Sequence, residues 1–154
     1  MKLPPFQTLL DAHRRDVHRF LVASVGPLEA DDCSQETWMA ALRAYPRLER
    51  ADNLRAWLLQ IAHRKAIDSH RARARRPQPS DSLPEAAVAA QDDGDSELWA
   101  AVRRLPDKQR TAVFCRSVIG MPYAELAVLL ESSQDAARRN VHEGLKALRE
   151  EWTP

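Results

Sequence analysis

At 154 residues, 44% of them apolar and 29% charged, the chain has the size and balance of one ordinary folded domain or two small ones, and it is not disordered overall. No run reaches the length needed to cross a bilayer. The N-terminus MKLPPFQTLL also lacks the apolar core and small-residue cleavage site of a signal peptide, so the cytoplasm is the expected compartment, with no membrane insertion. The net charge is only +1, yet it is the sum of two adjacent blocks of opposite sign.

In chain order, Phe6, Leu9, Leu10, His13, Val17, Phe20 and Leu21 follow helical spacing until Gly26-Pro27, which predicts a first helix from about Phe6 to Ser24. His13 and His18 are scattered members of it with no ligand-spaced partner. A second helix is expected from near Leu28, with Glu29, Asp31 and Asp32 in its first turn, ending before Pro46. Trp38, Met39, Leu42 and Tyr45 supply its expected buried stripe. Asp32, Gln35 and Glu36 then share another face, three and four residues apart. Taken alone, this cluster is a solvated surface, because nothing nearby completes a catalytic site.

After a short loop from Pro46 to Asp52 comes the longest helical pattern, Asn53 to Arg76. Leu54, Trp57, Leu58, Ile61 and Ala62 give its first half one apolar face. Its second half turns basic, and the whole segment holds Arg55, Arg64, Lys65, Arg71, Arg73, Arg75 and Arg76 against the single Asp68. One or two cations at a helix C-terminus complement the macrodipole. A run this dense repels itself and suits a polyanion such as nucleic acid.

Pro77 and Pro79 end the pattern. From Pro77 to Glu97 there are Asp81, Glu85, Asp92, Asp93, Asp95 and Glu97 and no Lys or Arg, in a composition of prolines, serines and alanines that reads as a flexible acidic linker. A domain boundary falls there.

The helical signal returns with Leu98, Trp99, Val102 and Leu105, capped at Ser96 and stopped by Pro106. Asp107 is expected to cap the next helix, in which Ala112, Val113, Phe114, Val118 and Ile119 pack inward until Gly120. Pro122 opens a short helix with Tyr123, Leu126, Ala127 and Leu130 on its buried face. The turn Glu131-Ser132-Ser133 leads to a last helix, Gln134 to Glu151, with Ala137, Val141, Leu145, Leu148 and Trp152 inward. Arg138, Arg139, His142, Lys146 and Arg149 lie on its outer face. A short helix, a tight turn and a longer basic helix make a helix-turn-helix, although the usual turn glycine is absent. The fold class expected is therefore all-α, two small helical domains joined by a linker.

Cys33 and Cys115 lie far apart inside predicted helices and read as small buried hydrophobes, with neither a disulfide framework nor zinc spacing. No catalytic group, metal site or cofactor motif is found, so the chain is expected not to be an enzyme.

Two regions together resemble one family. DDCSQETWMAALRAY, NLRAWLLQIAHRKAIDSHR, an acidic linker and LPDKQRTAVFCRSVIGMPYAELAVLL are similar, in order and spacing, to the extracytoplasmic-function (ECF) sigma factors of bacterial RNA polymerase, from about Phe6 to Trp152. The resemblance implies a sigma region 2-like domain over 1–76, a linker over 77–95 and a region 4-like domain over 96–154. It implies that Asp32, Gln35 and Glu36 grip the β′ clamp of the polymerase core, and that region 4 also meets the β flap. Arg55, Arg64, Lys65, Arg71, Arg73, Arg75 and Arg76 would lie on DNA at the −10 element, with the loop from Pro46 to Asp52 capturing an unstacked base. Gln134, Arg138, Arg139, His142 and Lys146 would meet the −35 element, Arg138 and Arg139 foremost, since Arg to guanine is the commonest specific contact. An anti-sigma protein is a further implied partner.

Departures from the family pattern concentrate where DNA is read. Arg64 stands where Asn is usual, Lys65 where an apolar residue is, and Glu143 where Arg is. The turn Glu131-Ser132-Ser133-Gln134-Asp135-Ala136 replaces Gly-x-Ser-Glu-Gly-Thr, and Asp135 and Glu143 oppose phosphates. The competing readings are a stand-alone helix-turn-helix regulator, which leaves the Asp32, Gln35 and Glu36 face unused, and a small helical enzyme, which lacks a constellation.

Overall fold

The computed structural model describes residues 3–50, 52–76 and 93–152, and among them every regular element is helical. Helices α1 (Phe6–Val25), α2 (Pro27–Ala44) and α3 (Leu54–Arg75) form the first unit. Helices α4 (Asp93–Arg104), α5 (Asp107–Phe114), α6 (Tyr123–Leu130) and α7 (Gln134–Trp152) form the second. The linker expected over 77–95 lies outside the described residues as far as 92.

Gly26 ends α1 as expected. Its φ of 89° and ψ of 162° are accessible to glycine almost alone, and its amide hydrogen still bonds the Val22 carbonyl at 2.9 Å. Pro27 then opens α2, where a missing amide hydrogen is harmless. A single 3₁₀ turn, Tyr45–Arg47, leads away from α2, and the Tyr45 hydroxyl donates to the Pro4 carbonyl, tying the loop to the N-terminus.

The buried stripe of α2 differs from the expectation. Ala30, Cys33, Thr37 and Ala41 face inward, whereas Met39 and Leu42 are each 55% exposed and Trp38 is half-buried against Phe6, edge to face. The reason is close packing: α2 lies against both α1 and α3, and small side chains let the backbones approach. Thr37 satisfies its buried hydroxyl by donating to the Cys33 carbonyl at 2.7 Å.

Helix α3 is buried on more than one side. Leu58, Ala62 and Ala66 are inaccessible or nearly so, as are Ala56 and Leu59, while Leu54, Trp57 and Ile61 pack at the margin of the core. A helix hydrophobic around so much of its girth needs partners on several sides. They come from α1, α2 and, across the linker, α6.

In the second unit α4 begins at Asp93, so Ser96 lies within the helix rather than capping it; helix ends are the least determined boundaries. Leu98 is 37% exposed and Leu145 36%, so neither belongs to the core, whereas Val102 and Leu105 do. Asp107 lies in the first turn of α5, with Pro106 at the cap position. Its carboxylate accepts a hydrogen bond from the Arg110 guanidinium instead. Arg110 is 3% exposed and also donates to the Leu105 carbonyl at 2.9 Å, pinning the corner between α4 and α5. One π-helical turn, Cys115–Ile119, follows α5 and ends at Gly120, left-handed with φ 79°. The turn from α6 to α7 ends in a cap, Ser133 Oγ accepting the Ala136 amide hydrogen at 3.0 Å.

Gly144 marks the close crossing of α7 over α5. A β-carbon there would sit 2.5 Å from Val113 Cγ2, whose β-branched side chain has little freedom to step aside. Gly144→Ala is therefore expected to lower stability by about 1–2 kcal/mol despite the better helix propensity of alanine, read as a fall in melting temperature by circular dichroism.

The two units share one core. Phe20 of α1 and Phe114 of α5 meet edge to face with centroids 5.8 Å apart, and Trp99 of α4 joins Phe114 at 6.1 Å.

Candidate polymerase and nucleic-acid interface

Asp32, Gln35 and Glu36 are all exposed on α2. They stand on a ridge between two depressions. Asp32 and Glu36 border a cleft of about 300 Å³ against Lys65, Asp68 and Arg73 of α3, while Gln35 borders a wider apolar groove with Leu10, Trp38 and Met39. The outward-facing Met39 continues the polar ridge with an apolar contact surface, and Leu28 and Leu42, 58% and 55% exposed, are further apolar groups that α2 leaves outside the core.

The basic residues of α3 divide into two sets. Arg71, Arg75 and Arg76 are exposed at its C-terminal end, with Lys65 and Arg73 half-buried beside the acidic cleft. Arg55 and Arg64 instead turn toward the second unit. Arg55 forms a bidentate pair with Glu125 of α6, Nε to Oε1 at 2.8 Å and Nη2 to Oε2 at 2.7 Å, the two side chains 30% and 13% exposed. Donating to the Glu125 carboxylate holds the Arg55 guanidinium even more firmly charged than usual. Arg64 meets Glu131 at 2.7 Å.

On α7, Gln134, Arg138, Arg139, His142 and Lys146 are all exposed. Arg138 is partly engaged, with Nη1 3.2 Å from Asp135 Oδ1 and its guanidinium 5.0 Å from the centre of the Tyr123 ring. Both contacts are rim-exposed and replaceable.

Periodicity did not single out His63, Thr111, Gln60 or Glu125. His63 is 7% exposed, and its Nδ1 shares a 2.7 Å hydrogen bond with the buried Thr111 hydroxyl of α5. Burial lowers its pKa to about 4, Arg110, Lys108 and Arg64 adding to the effect and Asp107 opposing it. His70 Nε2–H donates to the Ser24 carbonyl at 2.7 Å, and burial lowers its pKa too. Cys33 and Cys115 are buried, and desolvation raises both thiols, which keeps them protonated. Among the described residues no helix is long and apolar enough to cross a membrane.

Comparison with known proteins defines the class of these two units. Residues 9–76 match sigma-70 region 2 and residues 95–148 match sigma-70 region 4. The ECF RNA polymerase sigma factor SigD of Mycobacterium tuberculosis H37Rv is 33% identical over 158 residues, covering 93% of this chain and 74% of that one. SigX of Bacillus subtilis, another ECF RNA polymerase sigma factor, is 28% identical over 159 residues, covering 94% and 81%. The fold is shared with the sigma factor RpoE of Bartonella quintana, crystallised with the anti-sigma factor NepR, at a TM-score of 0.72 and 22% identity over 94% of both chains. It is shared also with CnrH in complex with the cytosolic domain of CnrY, at 0.70 and 21% over 94% of this chain and 84% of that one. The chain belongs to the ECF sigma factors, and its first and second units are sigma regions 2 and 4. Its function is accordingly transcription initiation directed by RNA polymerase.

Proposed function

We propose that the chain binds the polymerase core through Asp32, Gln35 and Glu36, engaging the β′ clamp, with region 4 at the β flap. Region 2, over 1–76, then meets and melts the −10 element through Arg55, Arg64, Lys65, Arg71, Arg73, Arg75 and Arg76. Region 4, over 96–154, binds the −35 element through Gln134, Arg138, Arg139, His142 and Lys146, and residues 77–95 join the two. The phosphate contacts of α3 position the protein, whereas Arg138 and Arg139 are placed on a helix of the type that reads base edges. The chain performs no chemistry of its own, works in the cytoplasm beside the polymerase, and is held inactive by an anti-sigma protein of the kind its structural relatives bind.

The observation that supports this reading best is the solvent exposure of Asp32, Gln35 and Glu36 on one ridge of α2, next to apolar Met39, which is also turned outward. A polar cluster beside an uncovered apolar surface is the anatomy of a docking site. The test is gel filtration of the purified chain with bacterial core RNA polymerase. The wild type is expected to co-elute. Asp32→Ala with Gln35→Ala is expected to elute apart, for a loss of about 2 kcal/mol or more, roughly thirtyfold in Kd. A wild type that shifts duplex DNA but never joins core would favour the stand-alone regulator.

A further inference from the structure

The first turn of α7 carries a negative charge at the end of the helix that enters a DNA groove. Asp135 is the second residue of α7, its side chain 88% exposed, at a position where the family pattern places glycine. The capping acceptor of this turn is Ser133 Oγ, which takes the Ala136 amide hydrogen at 3.0 Å, so Asp135 is not needed as a cap. Its carboxylate accepts instead from Arg138 Nη1 at 3.2 Å, one turn further along.

Arg138 has a second contact. Its guanidinium carbon lies 5.0 Å from the centre of the Tyr123 ring on α6. The same ring carries half-buried Arg116, whose guanidinium carbon is 4.1 Å from the ring centre and whose Nη1 donates to the Met121 carbonyl at 3.0 Å. Two cations on one ring repel each other, and Asp135 supplies the counter-charge beside the more exposed of them. Each contact alone is replaceable in water. Together they select one placement for a side chain that otherwise has many.

We propose that Asp135 and Tyr123 are positioning residues for base reading: they fix the Arg138 guanidinium before DNA arrives, so that it meets a guanine edge instead of a phosphate. The proposal rests on the reading of Arg138 as a base-contacting residue. Asp135 takes up an Nη1 hydrogen and leaves the Nε and Nη2 edge free among the described residues, a fork that matches guanine O6 and N7. Adenine presents a donor in place of O6, so a fixed fork rejects it. A mobile arginine can swing to the backbone and bind any sequence. The carboxylate also repels the phosphates that would draw the arginine away. It therefore lowers affinity for DNA in general and raises the preference for guanine at one position.

The test uses the full chain joined to bacterial core RNA polymerase and duplex DNA randomised over the length of a promoter. Sequencing of the bound fraction gives the base preference at each position, and fluorescence anisotropy with the unselected pool gives the affinity for DNA in general. Arg138→Ala is expected to abolish a guanine preference at one position, which identifies the base that Arg138 reads. Asp135→Ala and Tyr123→Leu are both expected to lower that preference roughly three- to tenfold, the order of what immobilising one long side chain costs in binding. They part on the second readout. Asp135→Ala removes a negative charge and is expected to bind the unselected pool roughly threefold more tightly, whereas Tyr123→Leu changes no charge and is not. Tyr123→Phe keeps the ring and is expected to match the wild type. In the Arg138→Ala background neither substitution is expected to change a base preference further. Asp135 is exposed, so its replacement leaves the fold intact and the test stands without the Tyr123 variants. Tighter general binding by Asp135→Ala with an unchanged guanine preference overturns the positioning role. An Arg138→Ala protein that keeps every preference overturns the base-reading of Arg138 and the proposal with it, while co-elution with core reports on the polymerase contact independently.

Discussion

Phe20→Ala is expected to remove about 3–5 kcal/mol of unfolding free energy, a large part of what a protein of this size has. Phe20 is wholly inaccessible in α1 and packs edge to face on Phe114 of region 4, so its truncation opens a cavity where the two regions join. Phe20 belongs to the same close-packed buried cluster as Leu58 and Leu59 of α3, and a close-packed interior does not collapse freely into such a space. Urea denaturation at 25 °C, followed by helical circular dichroism, should show the midpoint falling steeply. A loss below about 1 kcal/mol would mean that the ring is not packed as described.

The second large effect is on pH. His63 is neutral when docked, with a pKa of about 4 against 6.5 for the unburied side chain, burial being the main cause. Between those values the exposed form of His63 binds a proton that the buried form excludes, so acid favours undocking and unfolding. The stabilising contribution is complete above about pH 6.5 and declines as pH falls toward 4, for a total of about 3 kcal/mol. His70, also lowered by burial, adds a contribution of the same sign. Urea midpoints at pH 7.5 and 4.5 should therefore differ much more for the wild type than for His63→Gln. Equal differences would show that the contact with Thr111 does not exclude the proton.

The helices were legible because their signals are local. The three-and-four spacing of Leu9, Val17, Phe20 and Leu21, the stop at Gly26-Pro27 and the left-handed Gly120 each depend on residues within a few positions of one another. Asp32, Gln35 and Glu36 were legible as an exposed face for the same reason. Met39 and Leu42 were not, because their exposure depends on how closely α1 and α3 approach α2, which hydrophobicity along one helix does not report. The partners of Arg55 and Arg64 were likewise hidden. Glu125 and Glu131 lie far along the chain, across a linker whose composition suggests independent domains. The local trace of the arrangement was a glutamate at the turn position where the family places glycine.

By itself, then, the sequence determined an all-helical chain of two regions in the order of an ECF sigma factor, with an acidic-polar ridge on α2 and basic surfaces on α3 and α7. Those properties follow from helical periodicity, capping residues and charge, which act over one or two turns. Only the tertiary structure decided that the regions share a core, that His63 is buried against Thr111, and that two of the expected DNA-binding arginines are held by carboxylates of region 4. Such contacts join residues dozens of positions apart, and their energy depends on the packing and dielectric that the assembled fold creates.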